Sequence, residues 1–176
     1  MQERMNSKVS SINISYYKRY GFDLILGTYQ DKLCLVGFMG SKKRKSDDKK
    51  IQKRLNADFV EYEDEVLKQT KKELDEYFQR KRKSFSIPLL MVGTEFQKNV
   101  WEALQKIPYG KTSTYKKQAL MIDNEKAIRA VANANGANLL AIIIPCHRII
   151  GSDGSLTGFG GGLELKKKLL ELEYDT

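Results

Sequence analysis

Apolar and polar residues alternate over residues 12–16, Ile-Asn-Ile-Ser-Tyr, as on a strand with one face buried. Residues 22–26 and 33–38 are also strand-like, and residues 27–32 between them hold turn-forming types. A small antiparallel sheet accounts for all three. Residues 41–50, Ser-Lys-Lys-Arg-Lys-Ser-Asp-Asp-Lys-Lys, contain no apolar side chain and are expected to form a solvated connection. From Glu61 to Arg82 the period changes: Val66, Leu67, Leu74, Tyr77 and Phe78 recur at helical spacing. Lys81-Arg82-Lys83-Ser84 reads as a linker, so the chain is expected to divide into residues 1–84 and 85–176.

The second part carries stronger local signals. Thr94 with Gln97 three residues on has the form of a capping box, and Phe96, Val100, Leu104 and Ile107 then make one apolar face. Pro108-Tyr109-Gly110 stops that helix, and Thr112 or Ser113 caps another running to Ile122. After a turn at Asp123-Asn124, residues 125–135 predict a third helix with small side chains, Ala127, Ala130, Ala132 and Ala134. Two short helices joined by a tight turn fit a helix-turn-helix, and equally an ordinary helical pair in a core. An apolar run, residues 139–144, ends at Pro145, a Gly-rich loop spans 151–162, and a last helix runs from Leu163 to about Tyr174. The fold class is therefore α+β: a small antiparallel sheet with a helix, then a mainly helical part.

The chain has 176 residues and is 41% hydrophobic, enough for a core and too apolar for disorder. No apolar run approaches the ~20 residues of a membrane span. The start, Met1-Gln2-Glu3-Arg4-Met5-Asn6, has no apolar signal core, so a soluble cytoplasmic protein is expected. A net charge of +9 draws the chain toward polyanions, although excess lysine can equally just solvate a surface. Two cysteines, Cys34 and Cys146, and a single histidine, His147, cannot supply a four-ligand zinc site without carboxylates, so neither a metal nor a cofactor is expected.

That histidine stands beside Cys146, just after Pro145 ends the apolar run. A thiolate is the reactive form of cysteine, and an imidazole nearby can activate it. The pair fits as well a small buried cysteine next to a surface histidine. In an extended segment the two side chains would point opposite ways, so a water or a turn would have to join them. On the last helix Leu165, Leu169 and Glu173 share a face with Leu172, which offers a carboxylate to orient the histidine. Arg129 is a long cation among alanines. The glycines of residues 158–162 would let backbone approach a ligand, and the spacing of a Walker phosphate loop is absent.

These residues resemble a known family. Ile144-Pro145-Cys146-His147-Arg148-Ile149-Ile150 is similar to the active-site signature of the methylated-DNA–protein-cysteine methyltransferases, the O(6)-alkylguanine-DNA alkyltransferases. Further ordered matches are Thr94-Glu95-Phe96-Gln97 with Val100-Trp101, Ile107 to Thr112 with Tyr115, Ala127 to Ala132, Asn138, Gly161-Gly162-Leu163, and Lys167 to Glu173. The resemblance covers residues 85–173, and the first part matches in general character only.

The resemblance implies a ribonuclease H-like first domain and a helix-turn-helix domain that binds double-stranded DNA containing alkylated guanine from the minor groove. It implies that the damaged base is rotated out of the stack. Arg129 would fill the gap, Ala127, Ala130 and Ala134 would permit close approach to the backbone, and Thr114 and Tyr115 would touch DNA. Cys146 would take the alkyl group irreversibly, one lesion per monomer. Glu173 would orient His147, which acts on the thiol through a water. Asn138 would hold the segment before the cysteine, and Tyr115 would donate a proton toward guanine. Pro145, Ile149, Phe159 and Gly160 would line the base pocket. O(4)-alkylthymine stays open as a second substrate. Phe159 stands where many members have Tyr, and the ligands of the zinc site some animal members carry are absent. A helix-turn-helix protein that binds alkylated DNA without chemistry is the competing reading.

Overall fold

The computed structural model describes residues 10–174; the polar start, Met1 to Asn6, lies outside the described residues. Three strands, β1 (Ser10–Arg19), β2 (Phe22–Tyr29) and β3 (Lys32–Phe38), form an antiparallel meander. A fourth strand, β4 (Ala57–Glu61), lies parallel to β1, giving the order β3-β2-β1-β4. The sheet is thus antiparallel in the main, with one parallel edge that alternation alone did not indicate.

The parallel edge requires a crossover, and residues 41–50 supply it. They are solvated, with only Arg44 buried, but they are not irregular: α1 (Arg44–Leu55) occupies most of them. Ile51 is its one buried apolar anchor, so no apolar stripe marks it in the sequence. Arg44 pairs with Asp48 one turn on, and Asn56 ends the helix in the left-handed region at φ 47°. The next helix, α2 (Glu65–Phe78), is shorter at both ends than residues 61–82: Asp64 caps its start, accepting from the Leu67 N–H at 2.8 Å, and past its end Arg80 turns left-handed at φ 60°. The same carboxylate accepts from Asn13 and Thr28, which ties the cap to the sheet.

In the second part α3 (Glu95–Gln105) carries the capping box of Thr94 and Gln97. A two-residue strand, β5 (Ser113–Thr114), precedes α4 (Tyr115–Met121), whose cap is Thr114 and neither Thr112 nor Ser113. Then come α5 (Ile128–Gly136), β6 (Ile149–Ile150), which pairs in parallel with β5, and α6 (Leu163–Glu173). Trp101 on α3 donates its indole N–H to the Ala134 carbonyl at 2.8 Å, and Gln118 and Asn135 exchange two side-chain hydrogen bonds of 2.7 Å. These buried contacts lock α5 against α3 and α4, where an unpaired amide would be costly.

The two parts join along the outer edge of β3. Leu33 bonds to Pro88 and Leu90, and Val36 bonds to Leu139 and Ala141. An open edge is thereby satisfied, and the apolar run leading to Cys146 is docked on the sheet. The run is no strand: after that bridge it folds tightly, with Ile142 at φ 71°. A β-branched residue there costs on the order of 1–3 kcal/mol and persists only where its surroundings fix it. Buried neighbours on both sides of Ile142, from Leu139 to Ile144, do so.

Candidate active site

Pro145 leads into a single 3-10 turn, Cys146–Arg148, so the segment that carries the cysteine is not extended. The turn places the three side chains in different surroundings. His147 is wholly buried, Arg148 nearly so, and Cys146 is half-buried. His147 is therefore no surface residue, and Cys146 keeps some exposure.

Glu173, at the end of α6, serves both residues that follow the cysteine. Its Oε2 lies 2.7 Å from His147 Nε2, and Arg148 donates from Nε to Oε1 at 2.7 Å. Arg148 also donates to the Ile107 carbonyl at 2.7 Å and lies over the Tyr109 ring. Burial works to raise the Glu173 pKa, but His147 and Arg148 prevail and hold it below the usual carboxylate range. Burial pulls His147 down more than Glu173 lifts it, so the imidazole is neutral at pH 7. With Nε2–H donated to the carboxylate, Nδ1 is the basic nitrogen, and it is buried without a protein hydrogen-bond partner.

Asn138 organises the other side. Its amide N–H groups donate to the Ile144 carbonyl at 2.9 Å and to Cys146 Sγ at 3.3 Å, and its oxygen accepts from Leu140 N–H at 2.9 Å. Close packing pushes the thiol pKa up, against the opposing pull of the Asn138 bond and the Lys166 charge. Protein surrounds Cys146 closely enough to raise its pKa, yet its residual exposure opens to a cleft, and that exposure governs access. The cleft lies between Phe38, Arg44, Asn138, Ala141 and Phe159, with Cys146 in its wall.

A second cavity adjoins the first at Phe159 and Gly160 and is walled by Tyr115, Ala132 and Asn133. Tyr115 donates its hydroxyl to the Thr157 carbonyl at 3.3 Å, and Thr114 opens α4 beneath it. On α5, Arg129 and Ala130 are exposed and Ala127 is half-buried. Ala134 is buried, so its methyl faces the core and the outward surface consists of Ile128, Arg129, Ala130 and Asn133. Ile149 is fully buried, and Pro145 lines a different cavity beside Tyr109 and Arg148. Neither therefore shares the cleft of Cys146.

Two residues escaped sequence reasoning. Arg148 stood within the signature, and its role depends on a helix 25 residues away. Lys166 is buried on α6 and donates to the Thr157 carbonyl at 2.7 Å, holding the glycine-rich loop. It shares a helix face with Leu169 and Glu173, which was the available signal. Among the described residues, no three His, Cys, Asp or Glu side chains gather to hold a metal ion, and no helix is long and apolar enough to cross a membrane.

Comparison with known proteins identifies a family for the chain. Residues 24–91 match the ribonuclease-like domain of 6-O-methylguanine DNA methyltransferase, and residues 95–175 match its DNA binding domain. A methylated-DNA–protein-cysteine methyltransferase of Methanosarcina acetivorans is 45% identical over 150 residues, 85% of this chain and 90% of the relative. An inducible one of Bacillus subtilis is 42% identical over 138 residues, covering 77% of each. The crystal structure of Mycobacterium tuberculosis O6-methylguanine methyltransferase aligns with a TM-score of 0.79 at 34% identity, over 93% of both chains. The Mycobacterium tuberculosis OGT in complex with DNA aligns at 0.76, with 34% identity over 93% of this chain and 92% of that one. The chain belongs to the methylated-DNA–protein-cysteine methyltransferase family.

Proposed function

We propose that this chain repairs DNA by direct reversal, moving the alkyl group of O(6)-alkylguanine irreversibly to Cys146. The observation that carries the reading is a cysteine with some remaining exposure in the wall of a cleft, backed by a buried relay of His147, Glu173 and Arg148.

The thiol begins protonated, because burial raises its pKa. A base must therefore take its proton, and the unpartnered Nδ1 of neutral His147 is that base, acting through a bridging water. Glu173 fixes the tautomer and stabilises the imidazolium that forms, while Arg148 keeps Glu173 ionised. The thiolate sulfur attacks the alkyl carbon. The carbon–oxygen bond breaks, and its electron pair remains on guanine. Tyr115 leaves the Thr157 carbonyl and donates a proton to the base, which departs neutral; Tyr115 then regains a proton from water as His147 gives up the one it took from the thiol. The resulting thioether is not hydrolysed, so each chain acts once.

The damaged base reaches the cleft by rotating out of the duplex. Arg129, exposed near the start of α5, takes its place in the stack. Ala130 and half-buried Ala127 leave room for the DNA backbone, with Thr114 and Tyr115 at the edge of the same surface. Phe159 and Gly160 wall the base, Asn138 holds the cysteine turn, and buried Ile149 and Pro145 support that turn from behind. The described residues of one chain supply the thiol, its relay and the pocket wall, which supports action as a monomer. Cys146→Ala is expected to abolish transfer from a methylated duplex while retaining affinity for it. Transfer by that variant would refute the assignment.

A further inference from the structure

The first part of the chain also reaches the cleft. Residues 38–44 run along its wall opposite α5 and the glycine-rich loop. The Phe38 ring lies edge-on to Phe159 at 5.3 Å between centroids and sits 2.9 Å from where a side chain on Gly161 would begin. Ser41 Oγ lies 4.0 Å from the same point on Gly160. Next to it, Lys43 donates from Nζ to the Gly136 carbonyl at 2.8 Å, at the C-terminal end of α5. Lys43 lines both the cavity containing Cys146 and the one walled by Tyr115.

The charges of this segment are not equivalent. Arg44 is buried over Gly37 and neutralised by Asp48, so it offers nothing outward. Lys42, Lys43 and Lys45 are exposed, and of these only Lys43 stands at the mouth shared by the two cavities. Along α5 it meets the helix seven residues beyond Arg129, about 10 Å further along the axis. A cation is favoured where it now rests, on a carbonyl at the end of a helix. That carbonyl is neutral, and an anionic oxygen is the stronger acceptor for an ammonium.

We infer that Lys43 is a phosphate-binding residue: it leaves the Gly136 carbonyl to pair with the DNA backbone beside the extruded nucleotide, so that the ribonuclease-like part supplies one contact of the DNA site. The inference rests on the reading of the cleft as an alkylguanine site. On this basis Arg129 holds the gap in the duplex at one end of α5 and Lys43 holds the backbone at the other.

Salt dependence tests it, because each phosphate neutralised releases a counterion and contributes about 0.9 to the slope of log affinity against log salt. The full chain carrying Cys146→Ala, which stays unalkylated, would be titrated with an O(6)-methylguanine duplex at several salt concentrations. Adding Lys43→Gln is expected to weaken binding severalfold at low salt and to flatten the slope by about 0.9. Lys43→Arg should restore the slope, and Lys72→Gln, on the exposed face of α2, should leave it unchanged. Weaker binding with an unaltered slope would make Lys43 a mere tie between segments and overturn the inference. An equal flattening in Lys43→Arg or Lys72→Gln would overturn it too. The binding titration does not depend on transfer, so its failure is separable from failure of Cys146 to accept a methyl group. A background chain with no affinity for the duplex would refute both.

Discussion

Three side chains in a row, Cys146, His147 and Arg148, meet three different environments, and Glu173 unites two of them. Removing that carboxylate charge strands a buried guanidinium. Glu173→Gln is therefore expected to cost about 3–5 kcal/mol of stability, measurable by denaturant unfolding. The relay also sets a pH dependence. His147 and Glu173 both have pKa values below their ordinary ones, so the unfolded chain binds more protons than the folded one as pH falls. The contribution of His147 is complete above about pH 6.5 and fades below it; that of Glu173 is complete above about pH 4.3 and fades below that. Thermal melts should show a midpoint that declines from pH 7 to 5 and declines further under pH 4.3. A midpoint that rises on acidification would contradict the neutral imidazole. The Cys-His pair was legible because no other histidine exists in the chain. The roles of Arg148 and Lys166 were not, since each rests on a partner that only the fold brings near.

Among the elements, α5 is the one whose placement matters most. Trp101 holds it through a single indole hydrogen bond, and Trp101→Phe should destabilise the protein by about 0.5–1.5 kcal/mol through loss of that bond, since the Ala134 carbonyl keeps the Ala137 N–H. Arg129→Ala touches no such anchor. It is expected to leave the melting temperature unchanged while lowering transfer from duplex DNA about tenfold or more, read in single-turnover assays. Equal rates for the two proteins would dismiss Arg129 as the gap-filling residue. The capped helices α2 and α3 were readable because their apolar stripes are strong. α1 was hidden, since a helix with one buried apolar residue has no period to detect. The tight fold of the apolar run before Cys146 was hidden for another reason: Ile142 adopts a left-handed conformation that its type disfavours, imposed by tertiary packing and not by local preference.

For the molecule as a whole, β3 is the seam: it fixes the segment that presents Cys146 and, through Phe38, supports the loop across the cleft. Gly161→Ala would press a methyl against the buried Phe38 ring, which is itself packed on Phe159. The expected cost is about 1–3 kcal/mol, with slower alkyl transfer because the pocket loop must shift. The central claim is a stoichiometric one, that a single sulfur accepts a single alkyl group and keeps it. Intact-protein and peptide mass spectrometry after incubation with excess O(6)-methylguanine duplex tests it most directly. The account predicts one added methyl per chain, located on Cys146, and as many lesions repaired as chains supplied. A chain that repaired many lesions, or repaired them while Cys146 stayed unmodified, would contradict it.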